Sequence, residues 1–239
     1  MRAAAAGSLL ALLGACAPVV THGPRVEPGP HAGIAAGLLL APESAGVPDA
    51  VTPELAPYVR YGWAARPGGF GASLALSLDP NAESRGVGVD AYLQGPSGGS
   101  ALAYGAGVTR SAGVVMPYLQ AGRDLGRGYE LYTTQGYVHR TRFTEKHVGI
   151  LEERTAQARP RYWAPSLAVR TRSGAVAASL QLTGAFGHYE ERPGPDAGPV
   201  VRRRLRAAAA SVAGEVDLVR LVREGLGSPP RPAPPRRPR

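Results

Sequence analysis

Five histidines and one cysteine are the residues of this chain best suited to hold a metal or to act as a nucleophile. The histidines are His22, His31, His139, His147 and His188, and no two stand at HxH or HxxxH spacing. No second thiol exists to complete a ligand set, so no metal site is expected. His188 is followed by Tyr189, Glu190 and Glu191 near the end of an alternating segment, and His139 stands near the end of another. An imidazole beside a carboxylate can do acid–base chemistry, but such a histidine at a segment end is more often solvated. The paired glycines do not read as phosphate loops, because no helix follows them in a βαβ setting. The chain is therefore read as a non-enzyme without a cofactor, with no catalytic, cofactor-binding or metal residue assigned.

The one thiol, Cys16, closes the stretch MRAAAAGSLLALLGAC. Arg2 gives this stretch a positive start, and Ala3 to Ala15 is a run of thirteen uncharged residues. As a helix the run would span roughly 20 Å at about 1.5 Å per residue, short of a hydrocarbon core of about 30 Å. That length suits the apolar region of an export signal. Leu13-Gly14-Ala15-Cys16 resembles the lipobox of bacterial lipoproteins: an aliphatic residue, two small ones, then cysteine. The resemblance implies a signal peptide over residues 1–15, diacylglyceryl transfer to the Cys16 sulfur, cleavage before Cys16, and a lipidated linker over residues 16–30. The other reading is an ordinary secretory signal with an incidental cysteine, which would leave a free thiol in an exported protein. Two or three acyl chains anchor stably where one is marginal. Ala17, not an aspartate, follows the cysteine; by the same resemblance this implies delivery to the outer membrane.

The chain carries 27 Lys+Arg against 18 Asp+Glu, a formal net charge of +9. Lys146 is its only lysine. Arg2 and the four arginines of the tail from Gly227 to Arg239 account for five of the positive charges, leaving the remainder near +4. This basicity is not a patch interleaved with stacking aromatics, so no nucleic-acid partner is expected. The tail, assigned to residues 223–239, is rich in proline and arginine and reads as extended and solvated. Contact with an anionic cell-wall polymer or with lipid headgroups is its functional alternative.

Between these ends the signal is alternation with period two, the mark of strands with two different faces. In FGASLALSLD, Phe70, Ala72, Leu74, Leu76 and Leu78 share one face. In VGVDAYLQ, Val87, Val89, Ala91 and Leu93 oppose Gly88, Asp90, Tyr92 and Gln94. About ten such segments are expected, near 31–41, 54–65, 68–79, 85–95, 100–110, 113–122, 127–140, 161–172, 174–190 and 202–222. The last also fits a helical stripe through Leu205, Ala209, Val212, Val216 and Val219, and is read as a strand because an even number closes an antiparallel sheet. The longest connections, Pro42 to Pro53, Thr141 to Pro160 and Glu191 to Val201, alternate with short ones, a trend that the short link at Ser111-Ala112 breaks. The expected fold is all-β: an antiparallel up-and-down β-barrel of about 8–10 strands over residues 31–222.

Alternation alone does not say which face meets lipid. The less apolar face is Gly, Ala, Ser and Thr with sparse charges, Arg60, Asp90, Glu130, Arg140 and Arg170, which suits a narrow packed lumen. On the other face Trp63, Phe70, Tyr129, Trp163 and Phe186 fall near segment ends, where an aromatic girdle would sit. The pattern resembles small outer-membrane barrels. It departs from them in its low aromatic content of 6% and in the Pro/Arg tail that follows the last strand. No motif of the barrel lipases, acyltransferases or proteases is present. A soluble, lipid-tethered β-barrel or sandwich is the alternative. The loop from Arg140 to Arg161 is the candidate for outside contact through Arg142, Lys146, Arg154 and Arg159, with lipopolysaccharide phosphates or a protein as partner. Its other reading is a hairpin held by its own salt bridges. The functional expectation is a structural or interaction role in the envelope, with a narrow channel or small-molecule binder as the alternative.

Overall fold

The computed structural model describes residues 20, 22–25, 27–40, 51–65, 68–77, 86–95, 102–111, 114–140, 144–148, 154–192 and 199–225. The alternating segments form eleven strands among these residues. They are β1 (Gly29–Leu40), β2 (Val51–Ala64), β3 (Gly69–Ser77), β4 (Gly86–Gly95), β5 (Leu102–Ser111), β6 (Val114–Gly126), β7 (Tyr129–Arg140), β8 (Thr144–Val148), β9 (Arg154–Ser173), β10 (Val176–Arg192) and β11 (Val201–Asp217). One helix, α1 (Leu218–Gly225), follows.

Ten strands close a ring. Neighbours pair antiparallel from β1 to β7, then β7 with β9, β9 with β10, β10 with β11, and β11 with β1. The fold is thus a closed ten-stranded antiparallel β-barrel. The eleventh strand, β8, pairs only with the first residues of β9, from Thr144↔Ala158 to Val148↔Arg154. It forms a hairpin past the end of β7, within the Arg140–Arg161 stretch for which a hairpin is the second reading given above.

The ring has two different ends. At one, residues 127–128 join β6 to β7 and residues 174–175 join β9 to β10. Arg127 (φ 54°) and Gly128 (φ 81°) are both left-handed there, as a two-residue hairpin turn that follows the strand twist requires. The start of β1 and the end of β11 also lie at this short-turn end. The long connections lie at the other end.

The final segment was expected as strand through residue 222. The strand stops at Asp217 because that side chain caps a helix: its Oδ1 accepts the Arg220 backbone N–H at 3.0 Å. The apolar Leu218, Val219, Leu221 and Val222 of α1 are all exposed.

Burial sorts the two faces. On the outside are Val59, Leu74, Val89, Val108, Leu167, Leu180 and Val212, with Leu93 65% and Leu119 64% exposed. On the inside are Tyr58, Tyr92, Tyr118, Tyr132 and Tyr162, buried together with charged and amide groups. Glycine makes room for the rings. Gly33 pairs with Tyr58, Gly71 with Tyr92 and Gly107 with Tyr118. A Cβ at any of these three glycines would overlap the neighbouring ring.

Candidate functional site

Residues 20, 22–24 and 27 of the stretch read as a linker lie inside the barrel. Val20, His22, Gly23, Pro24 and Glu27 are all buried, and their partners lie on the inner faces of the strands. Val20 belongs to the inner apolar cluster that includes Val114, Val138 and Leu205, residues near the long-loop ends of β6, β7 and β11. His22 lies at mid-height and Glu27 near the short-turn end, where β1 begins. The described residues from Val20 to Glu27 are therefore strung along the barrel axis ahead of β1 in the wall.

His22 is held on three sides. Its ring stacks on Tyr92 with centroids 3.6 Å apart and 26° between planes. Its Nε2 lies 3.0 Å from Asp90 Oδ2 and 2.9 Å from the Tyr118 hydroxyl, which itself donates to Asp90 Oδ1 at 2.9 Å. The segment's backbone is satisfied by two amides from the wall. Gln120 Nε2 donates to the His22 carbonyl at 2.9 Å, and Gln94 Nε2 donates to the Gly23 carbonyl at 2.6 Å. A chain buried in a polar lumen needs such partners, because an unpaired carbonyl there would cost about as much as a lost hydrogen bond. Space is made by Gly122, where a Cβ would come within 2.8 Å of both Pro24 and Tyr132.

Below this, Glu27 anchors the segment to three arginines. Its carboxylate pairs with Arg60, with Arg170 Nη1 at 2.9 Å and with Arg172 Nη2 at 2.6 Å. A second carboxylate, Glu215 from β11, completes the cluster. It accepts from Arg60 Nε at 2.6 Å, Arg170 Nη2 at 2.7 Å and the Tyr58 hydroxyl at 3.1 Å. His31 Nδ1 lies 3.3 Å from Glu215. Two guanidinium forks shared by two carboxylates is a geometry that planar, multiply donating arginine satisfies and lysine does not. Beside the cluster, Arg25 reaches Glu130 at 3.4 Å and Asp124 at 3.6 Å.

Four of the five charges assigned to the lumen, Arg60, Asp90, Glu130 and Arg170, lie inside it and are paired. The Arg140 side chain lies outside the described set, as do those of Lys146 and Arg154; Arg142 is outside the described residues altogether. Arg159 points outward on β9 and pairs with Glu190 of β10 through its Nε at 2.8 Å. Cys16 also lies outside the described residues. His188, considered as a rim group, faces outward with Arg202 Nη2 3.0 Å from its Nδ1. Sequence reasoning missed Glu215 and Glu27, and weighed His22 and His31 only as metal ligands. Glu215 had a signal: it shares the parity of the buried Leu205 and Ala207 in β11. Glu27 and His22 had none, because a non-periodic segment does not declare where it packs.

Among the described residues no group of histidine, cysteine and carboxylate side chains could hold a metal ion. The arrangement can hold a segment across a pore.

No family model matches the chain, and no curated protein does. Among solved structures, a NanC porin is 10% identical, with 77% of this chain and 98% of the porin covered and a TM-score of 0.34. The β domain of the Bordetella autotransporter BrkA is 12% identical, with 79% and 98% covered and a TM-score of 0.31.

Proposed function

We propose that this chain is an integral outer-membrane β-barrel, closed by its own N-terminal segment, anchored by lipid at Cys16, and serving a structural or interaction role in the envelope. The observation that carries the reading is the direction of the two faces. Aliphatic side chains face outward all round the ring, and arginines and carboxylates are buried and paired within it. A barrel in water would have the reverse.

The outward face is also banded. Tyr61, Trp63, Phe70, Tyr104 and Tyr129 are exposed near the short-turn end, and Tyr137, Trp163 and Phe186 near the other. Tyr129 and Tyr137 on β7 are separated by about 27 Å at about 3.4 Å per residue. A strand tilt of about 40° reduces this to roughly 20 Å of height, close to the apolar band of membrane barrels. The exposed apolar residues of α1 lie at the short-turn end, where an interfacial helix would rest.

The plug supports a closed barrel over an open channel. Val20 stands four residues from Cys16, a reach of at most about 14 Å. Acyl chains on Cys16 would thus lie close to the barrel that the segment enters, on a short tether. The test is to extract membranes carrying Cys16→Ser. A barrel stays in the membrane and shows heat-modifiable gel mobility. Release into the soluble fraction would refute the integral reading and favour a tethered soluble domain.

A further inference from the structure

Among the described residues, a cluster of cations on the outer surface of the barrel forms no salt bridge. It lies at the long-loop end, on the adjacent strands β7, β9, β10 and β11. Cross-strand pairing aligns Tyr137, Trp163, Phe186 and Arg206 in one row, and His139, Arg161, His188 and Arg204 in the next row outward. All eight positions have the parity of the outer face. Arg204 and Arg206 are exposed. Arg161 is half-buried, and its Nε is enclosed without a hydrogen-bond partner.

Glu190 is engaged by Arg159, and among the described residues no carboxylate forms a salt bridge with Arg161, Arg204 or Arg206. Arg202 adds a further cation, turned onto His188. Strands about 4.8 Å apart make the row about 14 Å wide. Guanidinium forks bind phosphate oxygens two at a time. Immediately below lie Trp163 and Phe186, their rings 5.9 Å apart, and below those the aliphatic Leu167 and Leu182. A ligand that fits both levels carries phosphate above and acyl chain below.

We propose that Arg161, Arg204 and Arg206, with His139 and His188, seat the phosphate-bearing headgroup of a lipid in the leaflet at the long-loop end. The proposal rests on the membrane reading above, because only a lipid interface places phosphate directly over an acyl-facing wall. It differs from the expected Arg140–Arg161 loop contact: the seat is on the wall, at the level of the aromatic row.

The test reconstitutes the full mature chain into nanodiscs of equal parts phosphatidylglycerol and phosphatidylcholine, and counts retained lipids by native mass spectrometry. The wild type is expected to enrich the anionic lipid about threefold or more. The triple variant Arg161→Gln/Arg204→Gln/Arg206→Gln is expected to fall to about equal retention. A control triple, Arg123→Gln/Arg127→Gln/Arg223→Gln, removes the same charge at the short-turn end and is expected to keep the enrichment. Equal enrichment in the two triples overturns the proposal. So does enrichment by the wild type that survives 1 M salt, where screening acts within about 3 Å; this arm needs no variant to fold. A wild type that inserts but enriches neither lipid refutes the seat alone. A wild type that does not insert refutes the membrane reading and the seat with it.

Discussion

Replacing Glu27 by alanine removes the carboxylate that three arginines share. Its side chain is 10% exposed, against 0% for Arg60 and 6% for Arg170. In the variant, Arg60 and Arg170 keep Glu215, while Arg172 loses its ion pair with Glu27. Removing one partner of a buried ion pair costs about 3–5 kcal/mol, mostly because charge is left uncompensated. The barrel ladders do not involve Glu27, so the cost falls on the seated N-terminal segment. At about 1.4 kcal/mol per tenfold, the population with the segment displaced rises by about two to three and a half orders of magnitude. Arg172→Ala is the milder companion. Its side chain is 34% exposed and its pair is correspondingly screened, so the expected cost is about 1 kcal/mol or less. Two assays read this. In a Cys16→Ser background, a reporter Thr109→Cys on the inner face should label with a water-soluble thiol reagent about a hundredfold faster in Glu27→Ala. In planar bilayers the wild type should be silent, and Glu27→Ala should show reproducible conductance steps. Labelling within twofold of wild type, with silent bilayers and intact heat-modifiable mobility, would refute the assignment of Glu27 as the anchor of the plug.

Three further outcomes are expected. His22→Ala loses the stack on Tyr92 and the bond to Asp90, a loss of about 2–3 kcal/mol, and should raise labelling at the same reporter; no change in rate would mean that His22 does not hold the segment. Leu180→Arg places a cation in the outer apolar band and should destabilise folding into lipid by about 2–4 kcal/mol in urea titrations, whereas a water-facing site would change by under about 0.5 kcal/mol. Gly71→Ala should weaken the barrel by about 1–3 kcal/mol because its methyl group meets the Tyr92 ring, while Gly214→Ala, which meets nothing within 4 Å, should be neutral or slightly stabilising; equal effects would remove the role given to the glycine–tyrosine pairs.

The sequence by itself determined the two-faced strands and made a barrel the expected fold. A side chain that alternates with period two has only two directions to point, so Val87-Gly88-Val89-Asp90 states a two-faced strand wherever it folds. Ten such segments with short and long connections in turn leave a closed antiparallel ring as the solution without exposed edges. The same parity placed Arg60, Asp90, Glu130 and Arg170 on one face. The helical stripe at the C-terminus was visible too, but where strand gives way to helix depends on the Asp217 cap. Alternation is symmetric under turning the sheet inside out; composition pointed to the face of small residues and sparse charges as the lumen, and closure of the ring put that face inside. Tertiary structure alone brought Arg60 of β2, Arg170 of β9 and Glu215 of β11 to one point, because closure of the ring sets which distant strands face each other across it. And it alone showed what fills the ring. Residues 22–28 have no periodicity, and a short polar stretch ahead of a first strand reads equally well as solvated linker or as plug. What separates the two is a set of partners, Asp90, Gln94, Gln120, Arg60 and Arg172, supplied by four different strands, β2, β4, β6 and β9, and no local pattern encodes a contact made only after the barrel has closed around it.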